Sequence, residues 1–205
     1  MLSTTTCKIV PVLATPARTY HHGNLRSALL SAAETALAAG EDLSMRELAR
    51  QVGVSHAAPR RHFADKQALL DALAEDGFIR LGEALRAAVA DGEFPERLLG
   101  FARTYVAFAI EHAALLDLMW AGKHRLEAVR LASDQAFTAP LALIAEGQAT
   151  GEVVAGDLEE VGTLAVATLH GLAAMVNNGM LEAAAMDAIV PATVELLLLG
   201  LRPRP

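Results

Sequence analysis

The sequence is poor in the residues that stabilise small secreted proteins and in those that cross membranes. Its one cysteine, Cys7, excludes an internal disulfide framework. Charged residues make up 20% of the 205-residue chain, below the roughly 25% of typical globular proteins, and aromatic residues make up only 4%. The longest apolar stretches, such as residues 164–176, contain polar residues and are shorter than the roughly 20 residues that a membrane span needs. These deficits predict a cytoplasmic protein without a membrane-spanning segment.

Hydrophobic residues account for 53% of the chain, and much of this content is alanine, a strong helix former. The 8 prolines and 15 glycines fall mainly between stretches of helical periodicity, and no segment alternates apolar and polar residues as a strand would. We therefore predict an all-α fold. Residues 1–17 have no periodicity and contain two prolines, so we expect a disordered tail rather than a signal sequence.

Helical periodicity and end signals divide the rest of the chain into helices. Ser44 and Glu47 have the spacing of a capping box, and Asp65 is a suitable N-cap for the helix that begins at Lys66. The predicted helices are residues 24–39, 45–51, 56–62, 66–90, 95–112, 114–121, 124–149, 157–178 and 187–200.

The net charge of −7 is unevenly distributed. Residues 1–66 contain 8 Lys and Arg against 5 Asp and Glu, a charge of +3, whereas residues 67–205 contain 9 against 19, a charge of −10. A positive end on an otherwise acidic protein indicates that this end meets a polyanion.

Residues 52–66, VGVSHAAPRRHFADK, concentrate positive charge just after a short turn between two predicted helices. Gly53 allows a tight turn, the residues after it are small, and Arg60 and Arg61 follow. The major groove of B-DNA is about 12 Å wide and admits one helix, and small side chains let the helix backbone approach the base edges. The pattern favours a helix-turn-helix; the alternative is an ordinary helical hairpin with a solvated arginine face.

Two sets of motifs resemble a known family. The stretch from YHHGNLRSALLSAA through LSMRELARQVGVSHAAPRRHFADKQALLDALAEDGF resembles the DNA-binding domain of the tetracycline-repressor (TetR) family of transcriptional regulators. YVAFAIEHAALLDLMW, IAEGQATGEVVAGD and LHGLAAMVNNGML resemble the C-terminal domain of the subgroup named for a Trp-His-Gly element. The resemblance covers about residues 18–200. It implies a three-helix DNA-binding domain over residues 18–66 and a helical-bundle domain for effector binding and dimerisation over residues 67–205.

The resemblance also implies which residues contact double-stranded DNA. Two lie at the start of the second helix near the DNA backbone, four face the groove, and four contact phosphates or bases. Leu48 and Phe63 are expected to form the core between the small helices. The implied DNA-contacting residues are Ser44, Arg46, Ser55, His56, Ala57, Ala58, Arg60, Arg61, His62 and Lys66.

The chain departs from the family pattern in both halves. Arg60 stands where the family commonly has tyrosine; arginine can contact phosphate with a full charge, so we expect stronger and more salt-dependent binding. Pro59 lies inside the predicted third helix, so either that helix begins later than Ser55 implies or its first turn is loose. Val166 replaces the tryptophan of the subgroup and Ala113 a usual proline, which makes ligand contacts less transferable.

Aromatic and methionine side chains on several C-terminal helices are candidates for an effector pocket, although each one alone is more often a core residue. His170 needs a polar partner once it is buried, either a ligand or a neighbouring backbone carbonyl. A mostly aliphatic lining would select a small apolar or amphipathic molecule. The candidate ligand-binding residues are Phe101, Tyr105, Phe108, Met119, Trp120, Phe137, His170 and Met175.

The last two predicted helices are more apolar than surface helices usually are. In the family such helices form a two-fold dimer interface, and the residues implied here are Leu169, Leu172, Ile189, Val194, Leu197 and Leu198. A dimer reads the two half-sites of a palindromic operator, about 34–36 Å or a multiple of it apart, and so compensates for the few contacts of a short recognition helix.

These observations predict a dimeric, ligand-responsive DNA-binding regulator, and among such regulators a repressor. In this interpretation the effector tilts the helix that begins at Lys66. One alternative is a helix-turn-helix relative that has lost DNA binding and acts through dimerisation and ligand binding. Another is a helical enzyme with His112 or His170 as acid–base. The sequence contains no HExxH or CxxC motif and no glycine-rich phosphate loop, so we predict neither catalysis nor a metal or cofactor.

Overall fold

The structure is a computed structural model that describes residues 22–201. Within this range lie nine α-helices and two 3₁₀ turns, Pro59–Arg61 and Ala183–Ala185. No strand occurs among these residues, and the all-α prediction is confirmed. The predicted tail, residues 1–17, lies outside the described residues. The helices are α1 His22–Ala38, α2 Met45–Val52, α3 Lys66–Ala88, α4 Phe94–Glu111, α5 Ala113–Lys123, α6 Glu127–Ala136, α7 Thr138–Thr150, α8 Leu158–Asn177 and α9 Met186–Leu201.

Helix α3 is the central element of the fold. It packs against α1, α4, α5, α6 and α7. Its buried face includes Leu73, Phe78 and Leu81, none of which is exposed to solvent. Gly82 allows α6 to approach closely, because a Cβ atom at this position would lie 2.8 Å from the Cα of Ala136. The same helix therefore joins the N-terminal helices to the C-terminal bundle.

Helix α2 begins without the predicted capping box. The Ser44 side chain makes no capping hydrogen bond. The Glu47 carboxylate instead accepts a hydrogen bond of 3.0 Å from Nε of Arg50, one turn further along. The prediction is wrong because a charged guanidinium attracts the carboxylate more strongly than a backbone N–H does. The predicted cap of α3 is confirmed, since Oδ1 of Asp65 accepts from the backbone N–H of Ala68 at 2.8 Å.

The predicted single helix over residues 124–149 is in fact two helices, α6 and α7, that meet at Phe137. Pro140 has no N–H to donate to the carbonyl of Ala136, and a proline ring clashes with the carbonyl four residues earlier. Helical bonding resumes where the N–H of Leu141 donates to the carbonyl of Phe137 at 3.0 Å. The break places the Phe137 ring beside Trp120, with centroids 6.0 Å apart and a 27° angle between the planes.

Helix α9 lies on the outside of the bundle with much of its surface uncovered. The segment Ala183–Leu201 has a mean hydropathy of 1.7 over an 18-residue window, and only 17% of that window is buried. By length and composition alone it could cross a membrane, contrary to the prediction that no such segment exists. One such helix is weak evidence for a membrane protein. Val190 and Val194 are buried, whereas Leu196 and Leu199 remain 69% and 62% exposed.

Candidate nucleic-acid interface and interhelical cavity

The segment that follows α2 is not the α-helix predicted for residues 56–62. The N–H of Ala58 donates to the carbonyl of Ser55 at 2.9 Å, and a single 3₁₀ turn follows over Pro59–Arg61. The carbonyl of Pro59 then accepts from the N–H groups of both His62 and Phe63, at 3.0 and 2.9 Å. Pro59 occupies the first position of the turn, where a missing N–H costs no hydrogen bond. The helical turn therefore begins later than an N-cap at Ser55 would imply. This is the first of the two explanations considered for Pro59.

Buried side chains hold this turn from its inner side. Pro59 is buried, Phe63 is 3% exposed, and Leu48 of α2 is 1% exposed, which confirms the core role expected for Leu48 and Phe63. Of the ten residues expected to contact DNA, Ala58 and His62 are half-buried. The other eight are exposed: Ser44, Arg46, Ser55, His56, Ala57, Arg60, Arg61 and Lys66.

Helix α1 adds a cation that sequence reasoning missed. The Arg26 guanidinium lies 5.6 Å from the centroid of the Phe63 ring, and its side chain is exposed. The His62 ring lies 6.4 Å from the same ring. Arg26 is therefore close to the turn although it is 35 residues away in sequence (61 − 26). Only the packing of α1 reveals it, because spacing within one helix carries no information about the neighbouring element.

The cations of this surface differ in whether they already have a partner. Nζ of Lys66 donates to Oδ1 of Asp42 at 2.7 Å, and this hydrogen bond, together with the charge of Lys66, holds the pKa of Asp42 below its usual value. Arg46, Arg60 and Arg61 form no ion pair with any residue that the structure describes. The three arginines are thus available to an anionic partner, whereas Lys66 already has its charge balanced by Asp42.

A cavity of about 590 Å³ lies among helices α4 to α8. Five of the eight candidate ligand-binding residues line it: Phe101, Tyr105, Trp120, Phe137 and His170. The other three lie outside its lining. Met119 is buried against Gly77 of α3, the Phe108 ring lies 4.6 Å from the His112 ring, and Met175 is half-buried on α8.

The cavity also has polar lining residues that sequence reasoning missed: Lys123, Ser133, Asp134, Glu159 and Thr163. Only the apolar positions of these helices pointed to a cavity wall in the sequence. Charged and hydroxyl side chains on a helix usually face solvent, so these five residues were not predicted to line it. Nζ of Lys123 lies 4.0 Å from Oδ1 of Asp134 and 5.4 Å from the centroid of the Trp120 ring. The wall is therefore largely apolar, with polar side chains on α5, on α6 and, through Glu159 and Thr163, on α8.

His170 finds its polar partner on another helix. Its Nδ1 lies 3.2 Å from the hydroxyl oxygen of Tyr105. Tyr105 is 0% exposed, and burial raises its pKa to about 12, so the side chain is a neutral phenol at physiological pH. Neither a ligand nor a backbone carbonyl, the two partners expected for His170, is needed to satisfy Nδ1.

Two ion-pair clusters connect the N-terminal helices to the bundle. The Glu34 carboxylate of α1 accepts from Arg80 of α3 at 2.9 Å and lies 2.9 Å from Nδ1 of His112, at the junction of α4 and α5. Arg125, in the turn between α5 and α6, donates to Asp71 in the second turn of α3 at 2.6 Å. The first cluster joins α1 and α3 to the α4–α5 junction, and the second joins the start of α3 to the α5–α6 turn.

The residues expected at a dimer interface are only partly available to a partner. Leu169 and Val194 are 1% and 5% exposed, so each already packs inside the protomer. Leu172, Ile189, Leu197 and Leu198 are half-buried. The exposed apolar side chains on α8 and α9 are instead Leu164, Leu196 and Leu199. Over residues 22–201, no group of three or more His, Cys, Asp or Glu side chains could hold a metal ion.

Comparisons with known proteins match both halves of the chain. Residues 29–73 match the family model described as bacterial regulatory proteins, tetR family, and residues 98–198 match the tetracyclin repressor-like C-terminal domain. No curated protein matches. Among solved structures, a protein of unknown function from Rhodococcus sp. RHA1 is 41% identical, with a TM-score of 0.82, and the match covers 91% of this chain and 100% of that one.

Two more distant structures share the fold. A TetR family transcription regulator from Marinobacter aquaeolei VT8 is 17% identical, with a TM-score of 0.73, and the match covers 88% of this chain and 96% of that one. The fatty acid degradation regulator FadR from Bacillus halodurans is 19% identical, with a TM-score of 0.67 and coverage of 87% and 97%. At these identities the likeness extends to the fold alone.

Proposed function

Because the chain belongs to the tetR family of bacterial regulatory proteins, a family of DNA-binding transcription regulators and not of enzymes, we propose that it is a homodimeric repressor that a small effector releases from its operator. We place it in the cytoplasm, where such regulators act. Membership of the Trp-His-Gly subgroup remains a prediction, because the C-terminal match is to a tetracyclin repressor-like domain.

The observation that carries the DNA-binding part is the arrangement of the turn at Pro59–Arg61. Pro59 and Phe63 are buried and fix its position, while Ser55, Arg60 and Arg61 are exposed. The small side chains of Ser55, Ala57 and Ala58 let the backbone approach the base edges, and the two arginines reach the flanking phosphates. A turn of this length reads few base pairs, so the proposal requires a second copy on an adjacent half-site.

The uncovered surface of α8 and α9 supports the dimer. Leu164, Leu196 and Leu199 are 49%, 69% and 62% exposed, and only 17% of the apolar segment that contains α9 is buried. A second copy of the same surface, related by a two-fold axis, would cover these side chains in an isologous interface. Because the three leucines are already partly covered, burying the rest of each would contribute about 1–2 kcal/mol from the removal of apolar surface from water.

The Arg125–Asp71 ion pair supports a route from effector to DNA. Trp120 and Lys123 of α5 and Ser133 of α6 line the cavity, and Arg125 lies in the turn between these two helices. Asp71, in the second turn of α3, accepts from Arg125 and also from Gln67 at 2.9 Å. An effector that separates α5 from α6 would therefore move the start of α3 and the adjoining turn. The effector shifts the equilibrium between the original and the displaced positions of α3 only by as much as it binds the displaced one more tightly, typically about 1–3 kcal/mol.

The experiment measures binding of the protein to DNA upstream of its own coding sequence by fluorescence anisotropy, at several salt concentrations. Arg61→Ala is expected to weaken binding and to flatten the slope of log K against log salt by about 0.9 for each phosphate that is no longer neutralised. Arg86→Ala is the matched control, because Arg86 is an exposed arginine of α3 that forms no ion pair with the described residues. Equal losses of affinity for the two variants, or no binding at low salt, would contradict the DNA-binding surface.

A further inference from the structure

Two buried hydrogen-bond donors that line the cavity lack a partner. Oγ of Ser133 and Nε1 of Trp120 are both buried, and neither forms a hydrogen bond of ordinary length and angle with a group among residues 22–201. The Tyr105 hydroxyl lies close enough to the indole N–H to moderate the rise of the Tyr105 pKa, and the Ser133 hydroxyl has no such neighbour among the described residues. Ser133 is 0% exposed. Buried donors are nearly always satisfied in folded proteins, because an unpaired donor loses its bonds to water without compensation. Two such donors lining one cavity therefore point to a partner that the chain does not supply.

Aromatic packing fixes the direction of the indole N–H. The Trp120 ring meets the Phe78 ring edge to face, with centroids 5.5 Å apart, and stacks on Phe137 at 6.0 Å. Rings held on two sides cannot rotate toward another acceptor without breaking both contacts. The N–H of Trp120 is therefore preorganised on the cavity wall, which reduces the entropy cost of binding an acceptor there.

The charges around the cavity disfavour an anion. Among the lining residues that the structure describes, Lys123 is the one lysine or arginine, and its Nζ lies 4.0 Å from Oδ1 of Asp134, which balances it. Glu159 adds a further carboxylate at the rim on α8. The remaining lining is largely aromatic and aliphatic, with Phe101 on α4 and Ile144 on α7.

We propose that the cavity takes an uncharged, mainly apolar molecule that carries a carbonyl oxygen, and that the Ser133 hydroxyl and the Trp120 indole N–H donate to this oxygen. The inference rests on the proposed function, in that it treats the cavity as the effector site. It adds the chemical class of the effector and assigns its polar contact to α5 and α6, the two helices whose connecting turn is joined to α3.

The test uses three probes that share a phenyl-butyl skeleton: 4-phenyl-2-butanone with a carbonyl, butylbenzene without an acceptor, and 4-phenylbutyrate with a negative charge. Trp120 is the one tryptophan of the chain, so ¹⁵N-labelled protein gives a single indole N–H resonance. The ketone is expected to move this proton resonance downfield and to bind about 3- to 10-fold more tightly than butylbenzene, as one or two neutral hydrogen bonds would give. The anion is expected to bind more weakly than the ketone.

Ser133→Ala removes one donor with little change of volume and should lower ketone affinity about 3- to 10-fold while leaving butylbenzene affinity unchanged. Ser31→Ala, at an exposed serine of α1, is the matched control and should change neither affinity. Trp120→Phe, followed by calorimetry, removes the second donor and keeps an aromatic ring against Phe137, and it should likewise weaken binding of the ketone alone.

Equal affinities of ketone and butylbenzene, with an unmoved indole resonance, would overturn the inference. So would failure of all three probes to bind. Neither result affects the DNA-binding measurement with Arg61→Ala, so the failure of this inference and the failure of the proposed regulator are read from different experiments.

Discussion

The contact between Gly82 of α3 and Ala136 of α6 yields a prediction whose size follows from one distance. In Gly82→Ala the new Cβ would lie 2.8 Å from the Cα of Ala136, whereas ordinary van der Waals contact begins at 3.4 Å. Helix α6 must therefore retreat by at least 0.6 Å (3.4 − 2.8), because a backbone atom cannot rotate away as a side chain does.

Overpacking of this kind costs about 1–3 kcal/mol, and the loss of a helical glycine returns about 0.5–1 kcal/mol. We expect a net loss of about 1–2 kcal/mol in the free energy of unfolding and a Tm lower by about 2–8 °C for a chain of this length. Because α6 carries Ser133, the variant should also bind the ketone probe more weakly.

Urea denaturation at a fixed protein concentration measures the loss as a lower midpoint with an unchanged m-value. Glu83→Ala is the matched control, since Glu83 is the next residue of α3 and is exposed. It should leave the free energy of unfolding within about 0.5 kcal/mol of the wild type. If Gly82→Ala were as stable as Glu83→Ala, the close packing of α6 against α3 would be refuted.

Three further predictions test separate parts of the molecule. Asp42→Asn releases Lys66 from its ion pair, so DNA binding measured by anisotropy should become tighter and its affinity should depend more steeply on salt concentration. Weaker binding would count against Lys66 as a phosphate ligand. Burial raises the pKa of Tyr105 from 10.0 to about 12, so between these pH values the folded chain keeps a proton that the unfolded chain releases. The free energy of unfolding of the wild type should therefore fall between pH 10 and pH 12. Denaturation at each pH should show no such fall in Tyr105→Phe. Leu196→Arg should give monomers in analytical ultracentrifugation, whereas Leu131→Arg, at a 53% exposed position on α6, should not.

Most of the fold follows from the sequence because each helix carries its own periodicity and end signals. The predicted helix 45–51 ends one residue short of α2, and the predicted cap at Asp65 is the observed one. The errors have local physical causes. Pro59 and Pro140 each remove a backbone donor, which shortens one predicted helix to a 3₁₀ turn and divides another. Arg50 takes the carboxylate that the capping box required.

The candidate sites were less accessible to sequence reasoning than the helices. Exposure of Arg60 and Arg61 follows from their charge, but the position of Arg26 depends on how α1 packs. The sequence predicted aromatic residues of the cavity such as Phe101 and Trp120, but it gave no signal for Ser133. Its burial depends on the break at Phe137 and on the approach of α6 to Gly82, and neither is encoded in the spacing of α6 itself.

The uncovered face of α9 has a consequence for gene dosage. Under the proposed dimer, only paired copies occupy an operator, and the amount of pairs grows with the square of the monomer concentration wherever monomers predominate. Halving expression would then lower the concentration of dimer about fourfold rather than twofold. The leucines of one exposed helix would in this way set a threshold in protein copy number, below which the regulated promoter escapes control even when no effector is present.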